Sequence, residues 1–208
     1  MNATLTKLLT FDRVDHWGVR ILVWLTVAGT AFVTVVRPLL HWAWGNPLVG
    51  EINVDPARAG APSFEARDGA TLTWSGELWV ELASPTAIDR LTALAPGVVL
   101  TTVVAVLAHL VLALMRGVEV GRPFSATNVR RLRLIAATLL GSMVLMPVTN
   151  ALREAMYASS ALVDVEDAML ILSPLSFLTL GIAALVVAAL AEAFSRGSRL
   201  EHDVDGLV

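Results

Sequence analysis

The sequence predicts an all-α membrane bundle of four transmembrane helices, with a small β-containing extracytoplasmic cap between helices 1 and 2. Three observations carry that expectation. Of 208 residues, 56% are hydrophobic and only 16% charged, too apolar a balance for a soluble domain of this length. Runs at 19–40, 94–115, 134–156 and 169–190 each approach the roughly 20 apolar residues that a helix needs to cross a bilayer core. The cationic residues, finally, collect in alternate connecting segments.

That last pattern sets orientation. Lys7, Arg13, Arg20, Arg116, Arg122, Arg130, Arg131, Arg133, Arg196 and Arg199 share one side, against Arg58, Arg67, Arg90 and Arg153 on the other, with Arg37 at a border. Positive charge is retained on the cytoplasmic side, so segments 1–18, 116–133 and 191–208 are expected inside, and 41–93 and 157–168 outside.

The first run is read as a retained span rather than a cleaved leader: it is too long, and Arg37-Pro38 with bulky Leu39, Leu40 and Trp42 follow where small residues would be needed. Trp17, Trp42 and Trp44 flank it, as indoles favour the headgroup region.

Segment 41–93 is polar enough to fold in water. Glu51 to Asp55, Thr71 to Trp74 and Glu77 to Leu82 alternate polar and apolar residues, the last two around Ser75-Gly76, which predicts a strand and then a hairpin. Alternation puts Trp74 and Trp79 on different faces of that hairpin. So small a sheet is marginal alone and should lean on the bilayer, helix ends or a second subunit. Ser84-Pro85 reads as an N-cap and first helical residue, opening a short amphipathic helix with Ile88, Leu91 and Leu94 on one face. The second run then starts around Pro96-Gly97.

Segment 116–133 is an arginine-rich elbow. Pro123 holds residue 122 extended, and Ser125 or Thr127 can cap a new helix. Helical spacing sets Asn128, Arg131 and Ile135 on one side, Val129, Leu132 and Ala136 beside them, and Arg130 and Arg133 on a third. The arginines can enforce topology, grip anionic membrane lipids or bind an acidic protein partner. Direct nucleic-acid binding is not expected, because the patch is too short to supply many phosphate contacts and has no helix-turn-helix pattern. In the third run Pro147 predicts a bend. Small residues four apart, Ala184 with Ala188 and Ala189 with Ala193, permit close helix approach within the bundle or between subunits. The tail passes from Arg196 and Arg199 to an acidic end, and is expected to touch the elbow.

Chemistry is sparse. The chain has no cysteine, no Walker or dinucleotide motif and no zinc-type His-Glu-x-x-His, so neither a cofactor nor an enzymatic activity is expected. The acids Asp164, Glu166 and Asp167 lack the glycine turn and spacing of a calcium loop, and no metal site is assigned. His109 falls within a span, where titratable groups are costly, and is expected to be satisfied by a hydrogen bond inside the bundle. Arg37 and His41, four apart on one face, together with Asn150 and Arg153 could line a polar cavity beneath the cap. With His109 they form the candidate intramembrane polar site.

Gly121-Arg122-Pro123-Phe124-Ser125, then Asn128-Val129-Arg130-Arg131-Leu132-Arg133, and the terminal stretch from Glu192 to Asp203 resemble a bacterial membrane family catalogued as domain of unknown function 2975. The likeness covers most of the chain from the first span onward. It implies four spans, no established enzymatic activity, and members often encoded beside a small helix-turn-helix regulator; with the charge distribution, the expected location is the bacterial plasma membrane, multi-pass, with both termini cytoplasmic. Two functional readings follow. One is a non-enzymatic regulatory, sensing or scaffold protein that binds a cytoplasmic partner, such as that regulator, through Arg122, Phe124, Ser125, Asn128, Arg130, Arg131, Arg133, Arg196 and Arg199. The other is a small transporter or channel component using the polar site. Either fits a homo-oligomer or a subunit of a larger membrane complex.

Overall fold

A computed structural model describes residues 13–52, 65–74, 78–121, 123–162 and 174–205, with side chains described except at 13–16, 74, 174–177 and 198–205. The described residues open with helix α1 (Arg13–Ala31), pass through one π-helical turn (Phe32–Val36) and continue as α2 (Arg37–Ala43) without a break. The wide turn has a local cause. Pro38 has no N–H and its ring crowds the carbonyl four residues back, that of Thr34, so the backbone loosens there.

Helix α3 (Ala87–Glu119) crosses this wide turn at closest approach. A β-carbon at Gly97 would collide with the Thr34 carbonyl. The Thr34 hydroxyl lies 2.8 Å from the Thr30 carbonyl, 3.2 Å from the Gly97 carbonyl and 2.9 Å from the Thr101 hydroxyl. Small residues and a shared hydroxyl are how apolar helices associate where water supplies no driving force. At the far end of the same helix pair, Arg20 Nη2 and Glu119 Oε2 form an ion pair at 3.3 Å.

Helices α4 (Ala126–Ala161) and α5 (Pro174–Asp205) complete the bundle, α4 packing on both α3 and α5. Among the described residues, four stretches are long and apolar enough to cross a membrane: Trp17–Ala43, Ala87–Glu119, Ala126–Ala161 and Leu178–Gly197. Along the first, Leu22, Trp24, Leu25, Phe32 and Val33 are all more than half exposed, a surface suited to lipid rather than water. At 33 and 36 residues, α3 and α4 are about 50 Å long, against a hydrocarbon core of about 30 Å, so both extend beyond it.

The sheet is three-stranded and antiparallel, in the order β1 (Leu48–Ile52), β3 (Leu78–Leu82), β2 (Ala70–Trp74). The expected hairpin is β2–β3, in the register Trp74 opposite Leu78 and Ala70 opposite Leu82. Alternation in β3 buries Leu78, Val80 and Leu82 and turns Trp79 outward. These three pack with Ile52 against Tyr157, Ala158, Ala161 and Leu162 at the end of α4, so the sheet leans on a helix end. Ala66 bridges Leu162, and Arg67 reaches the Ser159 carbonyl at 2.7 Å.

Several expectations are corrected. Strand β1 begins at Leu48 rather than Glu51, and residues 53–55 lie outside the described residues, as do the Ser75-Gly76 turn and the acids Asp164, Glu166 and Asp167. The helix after the sheet is capped by Thr86, not Ser84. The Thr86 hydroxyl accepts from Asp89 N while Asp89 Oδ2 accepts from Thr86 N, and this reciprocal box satisfies two end amides where a serine before proline would satisfy fewer. No separate amphipathic helix precedes the span: α3 runs through Pro96, which is buried, and Ile88 and Leu91 face outward. Pro147, like Pro96, lies inside its helix, α4. Helix α5 runs on through the tail segment to Asp205. Its buried small residues are Ala184 and Ala191, two turns apart, whereas Ala188, Ala189 and Ala193 are exposed.

Candidate functional site

The residues that sequence patterning singled out fall at two opposite ends of the bundle. At the sheet end a cavity of about 540 Å³ opens where five elements meet. The first helix ends there with Arg37, His41 and Trp42. Edge strand β1 contributes Val49, Gly50 and Glu51, and α3 enters with Arg90 and Leu94. Arg153 and Tyr157 close it from α4, and Trp79 adds an indole from β3.

Each polar group is placed by local structure. Arg37 and His41 share a face because they are one helical turn apart in α2. Glu51 pairs across the sheet with Trp79, which puts both on the outward face. Arg90 follows the Thr86 cap by a turn; its Nη2 donates to the Asn46 carbonyl at 3.1 Å, and its guanidinium lies 5.6 Å from the centre of the Trp42 ring. That cation–aromatic stacking fixes the direction of the fork. Arg153 is half-buried, and its Nε is enclosed with no hydrogen-bond partner among the described residues. Tyr157 lies against β1, its hydroxyl donating to the Val49 carbonyl at 3.2 Å. Among the described residues, three guanidiniums and an imidazole thus line the cavity against a single carboxylate, that of Glu51.

Of the five residues expected in a polar site, Arg37, His41 and Arg153 meet here, and two do not. His109 is exposed on the outer surface of α3, with no hydrogen-bond partner among the described residues. It stands 19 residues beyond Arg90, about 28 Å along the helix, which a side chain cannot span. The expected bundle hydrogen bond is absent because the ring projects away from the neighbouring helices. Asn150 is turned back on its own helix, Nδ2 donating to the Met146 carbonyl at 3.0 Å, and does not line the cavity. Arg90, Glu51, Trp42, Trp79 and Tyr157 were not anticipated as lining residues. Helical spacing from a Thr86 cap would have found Arg90, and strand parity would have found Glu51 with Trp79. Tyr157 carries no such signal.

At the opposite end the elbow divides into an inner and an outer set. Ser125 caps α4, its Oγ accepting from Asn128 N at 3.4 Å. Asn128 is fully buried and donates from Nδ2 to the Pro123 carbonyl at 3.1 Å. Arg131 Nη1 donates to the Ala113 carbonyl of α3 at 2.7 Å and to Asn128 Oδ1 at 2.9 Å, tying the two helices together. Val129, Leu132, Ile135 and Ala136 are buried beside them. Arg130 and Arg133 are exposed. Arg122 lies outside the described residues, as does the side chain of Arg199. The tail does touch the elbow through an aromatic contact, and the acidic side chains expected to pair with the arginines, at 201–205, lie outside the described side chains. The Phe124 and Phe194 rings are 5.1 Å apart, and Phe124 also lies against Gly197. Arg196 pairs within its own helix with Glu192 at 3.1 Å and remains largely exposed.

A family model described as "Protein of unknown function (DUF2975)" matches residues 58–208. That range takes in the sheet from β2 onward, the elbow and helices α3 to α5. Comparison with curated proteins and with solved structures gave no match.

Proposed function

The chain belongs to the DUF2975 family of unknown function, and from that premise we propose that it is a non-enzymatic sensing and regulatory membrane protein. Its cavity would receive a signal outside the bacterial plasma membrane, and its elbow and tail would present that state to a soluble partner inside. One observation carries this reading. Helix α4 is unbroken from Ala126 to Ala161, with Arg130 and Arg133 exposed near its start and Arg153 and Tyr157 in the cavity near its end. A displacement at the cavity would therefore reach the elbow along one continuous helix, and Phe124 would pass it to the tail through Phe194. The exposed cations Arg130, Arg133 and Arg196 suit an acidic surface on the partner, for which the small regulators expected beside such chains are the natural candidates.

The test is purification of the intact chain from its native membrane in a mild detergent, comparing wild type with Arg130→Gln/Arg133→Gln at matched expression and topology. The same soluble protein should accompany wild type and be lost from the variant. Equal recovery with both would remove the elbow from the interface.

The transporter reading keeps Arg37, His41 and Arg153, which line a cavity at the mouth of the spans. It predicts solute flux in proteoliposomes that Arg153→Gln abolishes, and a wild type without flux of any anion would leave it no basis.

A further inference from the structure

We infer that the sheet-end cavity is a binding site for a phosphate-bearing anion. Three features of its lining point to this class. Arg37, Arg90 and Arg153 come from three different elements, yet converge on one space of about 540 Å³, within the usual range for small-ligand sites. Guanidinium forks recognise tetrahedral and carboxylate oxyanions through paired N–H donors, and a single facing acid among the described residues, Glu51, leaves their lining net positive. Arg153 supplies the second observation: its Nε is enclosed and has no hydrogen-bond partner among the described residues, although burying such a donor unmade is costly. An anion in the cavity would accept from it.

The remaining wall favours a particular source. Val33, Leu94 and Trp42 form an apolar side that continues into the first two candidate spans. A phosphate headgroup set among the arginines could therefore leave its acyl chains along α1 and α3. A soluble phosphate would use the same guanidiniums without that wall.

This deepens the sensing reading by naming the signal's chemistry, but binding is measured with no partner present, so its failure and failure of the co-purification are separate results. The full chain in an uncharged detergent is titrated with short-chain phosphatidylglycerol, with inorganic phosphate, and with a phosphate-free diacylglycerol of the same chain length. The readout is intrinsic tryptophan fluorescence, to which Trp42 and Trp79 at the cavity contribute. Saturable change with phosphatidylglycerol but not diacylglycerol is expected, and Arg37→Gln/Arg153→Gln should weaken it by about tenfold or more. Saturation by phosphatidylglycerol alone identifies a lipid as the source; saturation by inorganic phosphate as well identifies a soluble anion. Should the double variant fail to fold, Glu51→Gln decides, because removing the facing carboxylate should tighten the same probe by about threefold. Absence of saturation with either phosphate, equal affinity of wild type and the double arginine variant, or unchanged or weaker binding by Glu51→Gln would overturn the assignment.

Discussion

Tyr157 occupies the space that a side chain at Gly50 would fill. Its ring lies where any β-carbon on Gly50 would project, and its hydroxyl donates to the neighbouring Val49 carbonyl at 3.2 Å. The contact joins the edge strand to the end of α4, forming one wall of the cavity and one margin of the core made by Ile52, Val80 and Leu162. Gly50→Ala must therefore push the ring aside. A loss of about 1–3 kcal/mol is expected, read as a lower thermal midpoint of the detergent-solubilised chain. Tyr157→Phe removes only the hydrogen bond and should cost about 1 kcal/mol. A Gly50→Ala variant as stable as wild type would show that the strand is not seated on the ring.

At the crossing of the first helix with α3, Gly97 is held against the Thr34 carbonyl. Gly97→Val should separate the two helices and abolish the threonine pair of Thr34 and Thr101. Thr101→Val leaves the approach intact and removes one hydroxyl, so its cost should be close to the roughly 0.6 kcal/mol typical of such bonds within a membrane. Unfolding in mixed micelles should rank Gly97→Val well below Thr101→Val.

The elbow arginines should separate by role. Arg131 ties α4 to the Ala113 carbonyl, whereas Arg130 and Arg133 are exposed. Arg131→Gln and Asn128→Ala should each lower stability by about 1–3 kcal/mol, through buried groups left unpaired. Arg130→Gln and Arg133→Gln should change it by no more than about 0.5 kcal/mol. Thermal denaturation of the four variants checks this, and equal losses across all four would contradict it.

Phe124 holds the last part of α5 through Phe194 and Gly197. Phe124→Ala should release it. Faster amide exchange at 191–205 is expected, with exchange in the core of α4 unchanged and a loss of about 0.5–1.5 kcal/mol from the aromatic pair.

Much of this fold could be read from residue order because lipid and water impose coarse rules. Four apolar runs gave four helices, and Ser125 was recognisable as a cap from the polar residue before a helical pattern. Contact between elbow and tail is also expected from the sequence, on grounds of opposite charge, and the described part of it is the aromatic pair Phe124 and Phe194. Interior prolines were harder. Pro96 reads as a start, yet α3 continues through it within a packed pair, and the run 19–40 gives no sign of the π-helical turn that precedes Pro38. The cavity was half legible. Arg37, His41 and Arg153 were found from their places at span ends, whereas Arg90 and Tyr157 depend on how the sheet rests on α4, which no local pattern encodes. His109 failed for a related reason: periodicity gives its helix, but not which side of that helix the neighbours cover.

The proposed function depends on the two ends of α4 facing opposite compartments, and the absence of cysteine makes that directly measurable. Glu81 is exposed on the sheet and Thr127 at the elbow, so Glu81→Cys and Thr127→Cys each introduce one thiol without removing any arginine. With a membrane-impermeant maleimide on intact cells, stripped of any outer membrane they carry, Glu81→Cys should label at once, and Thr127→Cys only after permeabilisation. Labelling of Thr127→Cys in intact cells, with Glu81→Cys protected, would contradict the orientation and with it the transfer of a signal from an external cavity to a cytoplasmic elbow.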